Sequence, residues 1–240
     1  MTAYQSENDP EYTGIENLEI MKDAKNYNRF IEKLIVEAAP SKSSFNAFDF
    51  GAGTGQFSEI WSKSESPNVE FTAIELDENF KRLLEKKNVR VADLNQIENA
   101  STDFIYSINV LEHIESDIDC LIQLHSKLKV GGKLFVYVPA FKFLWTEMDD
   151  FVGHVRRYRK GDLRKKLGMA QFHIESIQYH DCAGFLATLA LRYLTVGTFQ
   201  LSRNKIVLFD RFIFPVGRVF DALIFKHLFG KNISVVAVKR

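Results

Sequence analysis

Residues 48–58 read FDFGAGTGQFS. A short apolar run holding one acid, Asp49, leads into three glycines at alternate positions, Gly51, Gly53 and Gly55, with Ala52 between the first two. Glycine adopts positive φ without steric cost and lets backbone N–H groups come close to a ligand. A strand that ends this way reads as the first strand of an open parallel sheet, whose ligands sit beyond the carboxyl ends of its strands. A dinucleotide fingerprint requires Gly-x-Gly-x-x-Gly. Here position 56 is Gln and the third glycine falls one residue early, so the turn departs from that pattern.

Outward from the turn, strands and helices alternate. The spacing predicts a strand at 45–50, a helix over Gln56–Lys63, a strand at 69–75 and a helix at 78–87. Further strands are expected at 89–93 and 103–109, then a helix at 117–129, then a Gly131-Gly132 turn into a strand at 133–139. Upstream, Ile15–Ala39 has helical spacing and is closed by Pro40. Downstream, a helix opens at Asp162–Lys166, a strand follows at 172–180, and 232–240 reads as a closing strand. This rhythm calls for an α/β fold with helices on both faces of a mostly parallel sheet.

Composition bounds the partners. The chain of 240 residues is 46% hydrophobic and suits one domain. Its 31 basic residues match its 31 acidic ones, which argues against a nucleic-acid partner. Cys120 and Cys182 are the only cysteines and lie in no ligand spacing, pointing to a reducing compartment. The opening MTAYQSENDPEY has neither the basic start nor the apolar stretch of a signal peptide, so a cytoplasmic location is expected.

The run Asp49-x-Gly51-x-Gly53-x-Gly55 resembles the first motif of the class I S-adenosylmethionine-dependent methyltransferases, and the resemblance extends over residues 45–140. It implies a Rossmann-like seven-stranded sheet of order 3-2-1-4-5-7-6, last strand antiparallel, with S-adenosylmethionine as cofactor. In that frame Glu75, followed by Leu76, ends the second strand, where two acceptor oxygens suit the ribose diol. Asp93 and Leu94 fall near the adenine, and Asn109 falls beside the amino-acid part of the cofactor. Taken alone, acids such as Glu75 and Asp93 are more often helix-start residues than ligand contacts, and Asn109 reads also as a turn cap. The implied single domain, 1–240, divides into a helical cap (1–40), a cofactor-binding core (45–140), acceptor-side and lid elements (141–231) and the closing strand.

No Asp/Asn-Pro-Pro-aromatic segment follows the fourth strand, which argues against a nucleobase amino acceptor and leaves a small-molecule or lipid-linked acceptor, most readily at oxygen. His113 and His154 lie where a base could act, each with a loop-fixing reading beside it. The segment 153–158, Gly-His-Val-Arg-Arg-Tyr, is similar to one found in a group of small bacterial methyltransferases. It opens a stretch with seven basic residues in 156–166, read either as a solvated face or as an anion site, with Arg156, Arg157 and Tyr158 as acceptor-binding candidates. The segment Leu111-Glu112-His113 resembles ubiquinone-pathway O-methyltransferases, whose Glu-x-x-Glu-His cluster is associated with a divalent ion. Asn109 replaces the first acid, and Glu112 with His113 alone make a poor magnesium cage, so no obligatory metal is expected.

Ala183–Leu201 is nearly all apolar but carries Arg192, which disfavours a membrane span. With the phenylalanine-rich stretch 206–230 it reads as core packing, an aromatic lid, a homodimer interface, or a surface resting peripherally on the inner face of a membrane. A non-catalytic adenosyl-binding scaffold or sensor, a nucleic-acid methyltransferase and a nicotinamide oxidoreductase stand as alternatives, the last opposed by Gln56.

Overall fold

Seven strands form one sheet in a computed structural model that describes residues 19–63, 69–194 and 202–240. They are β1 (Phe45–Phe50), β2 (Val69–Ile74), β3 (Val91–Ala92), β4 (Thr102–Ile108), β5 (Leu128–Pro139), β6 (Phe172–His180) and β7 (Asn232–Lys239). The order is β3-β2-β1-β4-β5-β7-β6, as the sequence implied. β1 pairs in parallel with β2 and β4, while β7 runs antiparallel to both β5 and β6. Strand order reverses between β1 and β4, which opens a crevice at their carboxyl ends.

Alternation along the strands separates two cores. Phe45, Ala47, Phe104, Tyr106, Phe135 and Tyr137 face one way, against Phe30, Ile31 and Ile35 of helix α1 (Lys25–Ala38). Phe48, Phe50, Ile105, Leu134 and Val136 face the other way. There they meet the helices that follow the short α2 (Ile60–Lys63) and α3 (Glu78–Lys86). Leu121 and Leu124 come from α4 (Asp117–Lys127) and, beyond the short α5 (Glu147–Phe151), Leu163 and Leu167 come from α6 (Lys160–Met169). The helical spacing of these leucines is what buries them.

Four expectations shift. The helix expected over Gln56–Lys63 is only Ile60–Lys63, because residues 51–59 stay in turns. There the Phe57 carbonyl accepts from the Ile60 N–H at 3.3 Å and from Tyr106 Oη at 3.2 Å, and the Thr54 carbonyl just upstream accepts from Lys87 Nζ at 2.9 Å. The Gly131-Gly132 turn lies inside β5 as an irregularity, where the register jumps from Thr102↔Leu128 to Phe104↔Lys133. The expected N-terminal helix is interrupted: residues 19–21 are helical, 22–24 break it, with the Asn28 side chain donating to the Met21 carbonyl at 2.9 Å across the break, and α1 begins at Lys25. The third strand shrinks to Val91–Ala92. The expected start at Ile15 and the end of the apolar run at Leu201 lie outside the described residues.

The apolar run folds as α7 (Cys182–Leu194), and the phenylalanine-rich stretch as α8 (Arg203–Leu208), a π-turn (Phe209–Ile213) and α9 (Phe214–Leu223). Two buried acids fasten these helices. Asp210 accepts from the backbone N–H groups of Asn26 (2.9 Å) and Tyr27 (2.8 Å), so it caps α1 from 183 or more residues away. Asp221 does the same for the start of α7, accepting from Asp181 N–H (2.8 Å) and Cys182 N–H (3.0 Å). Both supply partners to helix-start donors that would otherwise be buried unpaired. Asp210→Ala is expected to cost about 2 kcal/mol and to lower the melting temperature by about 4–8 °C. Thermal unfolding followed by circular dichroism measures it, and an unchanged melting temperature would show that the cap carries no stability.

Candidate active site

The crevice is floored by the glycine turn. Gly51, Gly53 and Gly55 all have positive φ, of 79°, 52° and 75°. A Cβ on Gly51 would lie 2.3 Å from Val110 Cγ2, so β1 and the loop after β4 approach too closely for any side chain. A Cβ on Gly53 would meet nothing within 4 Å: this part of the turn faces open space. Asp49 is buried beneath it and accepts from Ser58 Oγ at 3.0 Å, so it fastens the loop through that hydroxyl. Burial pushes the Asp49 carboxyl up to about 7; the Ser58 bond opposes this and the Glu75 charge adds to it.

The remaining expected cofactor residues are arranged around the same crevice. Glu75, at the end of β2, accepts from the N–H groups of Gly53 (2.7 Å), Leu76 (2.7 Å) and Asp77 (3.0 Å), tying the glycine turn to the second strand. Asp93 caps a short 3-10 turn and pairs with Lys81 at 3.0 Å, so its side chain is used as a cap. Leu94 is in the core. Asn109 is exposed, with φ 54°, and its N–H donates to the Tyr137 carbonyl at 2.8 Å.

Beyond β4 and β5 a second cluster assembles. His154 Nδ1 lies 2.7 Å from Asp149 Oδ1. Arg157 grips the same carboxylate with two bonds, Nε to Oδ1 at 2.7 Å and Nη2 to Oδ2 at 2.9 Å. Burial alone would raise the Asp149 pKa, but the bonds from His154 and Arg157 outweigh it and hold the carboxyl well below the usual range. An ionised carboxylate only accepts. Nδ1 of His154 therefore carries the proton of this bond, and Nε2 is the ring nitrogen that faces Glu112. Nε2 sits 3.8 Å from Glu112 Oε1, too far for a hydrogen bond. Glu112 is fully buried and neither of its carboxyl oxygens has a partner among the described residues. Burial pushes it up to about 8, so it is largely neutral at pH 7. The His113 ring stands 4.7 Å from that of His154, and burial with the neighbouring imidazole lowers it to about 4.

Geometry corrects the expected acceptor-binding trio. Arg157 has a side chain only 6% exposed and is held by Asp149 and the Ala140 carbonyl (3.2 Å). Arg156 bonds the Glu115 carbonyl at 2.7 Å and Asp117 at 2.8 Å. Tyr158 is buried, its hydroxyl 2.8 Å from Asp117 Oδ2 and 3.0 Å from the Leu111 carbonyl. These three side chains bind the loops of the site to each other, because buried acids from other segments reach them first. Sequence reasoning missed Asp149, whose position five residues before His154 was a readable signal. It also counted two metal donors where folding supplies a third: Glu112, His113 and His154 each offer one ligand atom within 4.8 Å of the others. Two imidazoles and one carboxylate match zinc or iron chemistry more than magnesium.

A family model described as a methyltransferase domain matches residues 24–177. No curated protein sequence matches. Among solved structures, an S-adenosylmethionine-dependent methyltransferase of Thermotoga maritima, described as a possible histamine N-methyltransferase, has a TM-score of 0.62 at 15% identity, over 96% of this chain and 97% of that one. An S-adenosylmethionine-dependent methyltransferase of Archaeoglobus fulgidus gives 0.58 at 15% identity, over 88% and 94%. Phosphoethanolamine N-methyltransferase 2 of Haemonchus contortus, in complex with S-adenosylmethionine, gives 0.55 at 16%, over 87% of this chain and 52% of that one.

The raised Asp49 pKa makes a signed prediction. Between about pH 4 and 7 the unfolded chain has lost a proton that the folded chain keeps, so this group lowers stability as pH rises through that window. Asp49→Asn removes the dependence, and the variant gains on the native chain by an amount on the order of 4 kcal/mol at most. Urea unfolding at both ends of the window tests it; a pH-independent difference would mean that Asp49 is ionised throughout.

Proposed function

This chain belongs to the methyltransferase-domain family, and from that premise we propose that it is an S-adenosylmethionine-dependent methyltransferase acting on a hydroxyl of a small-molecule or lipid-linked acceptor. When bound, S-adenosylmethionine supplies a methyl carbon on a sulfonium, open to in-line displacement. The open space over Gly53, and a Glu75 carboxylate at the end of β2, fit an adenosyl group at the crevice. Gly51, Gly53, Gly55 and Glu75 would hold the nucleoside, the Asp93–Leu94 backbone its base, and Asn109 its amino-acid end.

The single observation that carries the oxygen assignment is the Asp149–His154 pair, 2.7 Å apart and clamped by Arg157. A hydroxyl acceptor must lose its proton as the new bond forms. His154 takes that proton at Nε2, while Asp149 fixes the tautomer and balances the resulting imidazolium. Glu112 borders the same nitrogen from 3.8 Å away. His113 shapes the pocket wall from the far side of the ring. The pair transfers the proton without an obligatory metal.

His154→Ala is expected to lower kcat about 10²–10⁴-fold while calorimetric affinity for S-adenosylmethionine stays unchanged, whereas Glu75→Ala weakens that affinity. Unaltered turnover in His154→Ala, measured by methyl transfer to a panel of phenols and alcohols, would remove the base assignment. Turnover should also survive dialysis against EDTA; loss reversed by zinc or iron(II) would reassign Glu112, His113 and His154 as ligands.

A further inference from the structure

The run from α8 through the π-turn to α9 has its polarity reversed. Its buried stripe is Asp210, Phe214, Gly217 and Asp221, at spacings of four, three and four. Its exposed stripe is Leu208, Phe212, Val216, Val219 and Leu223, at spacings of four, four, three and four. The two stripes are offset by two residues, about 200° around a helix, so they occupy opposite faces. The inner face thus holds the acids and the outer face the hydrocarbon: Leu208 and Phe212 are each 59% exposed, Leu223 73%. The outer stripe runs about 22 Å along the helix axis.

Charge is equally one-sided. Asp210 and Asp221 are the only acids between 202 and 231, and both are turned inward as caps. Lys205 and Arg211 are exposed on the same run and flank the outer stripe, while Arg203 is paired with Asp23 of the neighbouring segment, so the outer stripe itself carries cations and hydrocarbon and no acid. No helix among the described residues is long and apolar enough to cross a membrane. A helix with a broad apolar face flanked by cations lies along a bilayer, its apolar face at the headgroup–acyl boundary. A second copy related by a two-fold axis would instead bring Lys205 and Arg211 towards their own counterparts, since Asp23, the acid beside this face, is already paired with Arg203.

We propose that the outer face of Arg203–Leu223 docks on a bilayer bearing anionic headgroups, with Leu208, Phe212, Val216, Val219 and Leu223 in contact with the acyl region. Docking here goes beyond the methyl-transfer reading and is independent of its success, since the stripe shares no residue with the crevice. The test is flotation of the full chain with vesicles of phosphatidylcholine alone and of phosphatidylcholine with phosphatidylglycerol. Strong flotation is expected only with phosphatidylglycerol, weakened by salt. Phe212→Asp with Leu223→Asp should reduce it at least about tenfold, and Arg211→Glu should reduce it further. Because the replaced side chains are exposed, the melting temperature and calorimetric affinity for S-adenosylmethionine should be unchanged, which separates loss of docking from loss of fold or cofactor. Absent flotation, or flotation that the paired substitution leaves intact, overturns the proposal. A dimer seen by light scattering and dissociated by the same substitutions would assign the face to a second copy and overturn it too.

Discussion

The Asp149 carboxylate is the point on which the acceptor side of the molecule depends. It accepts from the Thr146 N–H (2.8 Å) and hydroxyl (3.1 Å), from His154 and from both arms of the Arg157 fork. Hydrogen bonds to an ionised group are stronger than neutral ones, and here they join three segments: the turn opening α5, the loop 153–155, and the chain that runs beside β5. Arg157 also donates to the Ala140 carbonyl at the exit of β5, and the backbone N–H of Val155 reaches the Glu112 carbonyl at 2.8 Å. Removing the charge would therefore free the His154 ring and also leave a buried guanidinium without its partner, the costlier of the two losses.

The fold was legible where its causes are local. Three glycines at alternate positions after a buried strand mean much the same in any context, because positive φ and close backbone approach are properties of the residue itself. The alternation of short apolar runs with leucines at helical spacing likewise set the sheet and its two covered faces, and the resemblance to class I methyltransferases supplied the strand order. The helix expected after the turn failed for a tertiary reason. Tyr106 and Lys87, from distant elements, bond the Phe57 and Thr54 carbonyls of the turn region, and no propensity at 56–63 encodes those partners.

The basic segment shows the opposite limit. Arg156, Arg157 and Tyr158 look like an anion site because the acids that meet them are distant or face inward: Asp117 lies about forty residues upstream, and nothing in the chain between marks it as their partner. Charge along a sequence says what is present and leaves open which charges fold together. Asp210 and Asp221 illustrate the same point in reverse. In a phenylalanine-rich tail they look like solvated residues that break up an apolar run. In the structure they are its most buried polar groups, capping helices that begin elsewhere.

That inward turn of the tail's acids links its packing to its surface. A helix that uses its carboxylates as remote caps has fixed which side faces the core, and the residues on the other side then face out whatever their chemistry. Exposed phenylalanine and leucine at helical spacing would ordinarily rotate inward to lose water, gaining roughly 1.5–3 kcal/mol for each side chain buried. Here rotation would break four charge-assisted bonds to the starts of α1 and α7, worth about 1.5–3 kcal/mol each. The two totals are comparable, and rotation would also leave the helix-start N–H groups buried and unpaired. The caps thus hold the apolar stripe outward as a consequence of the fold.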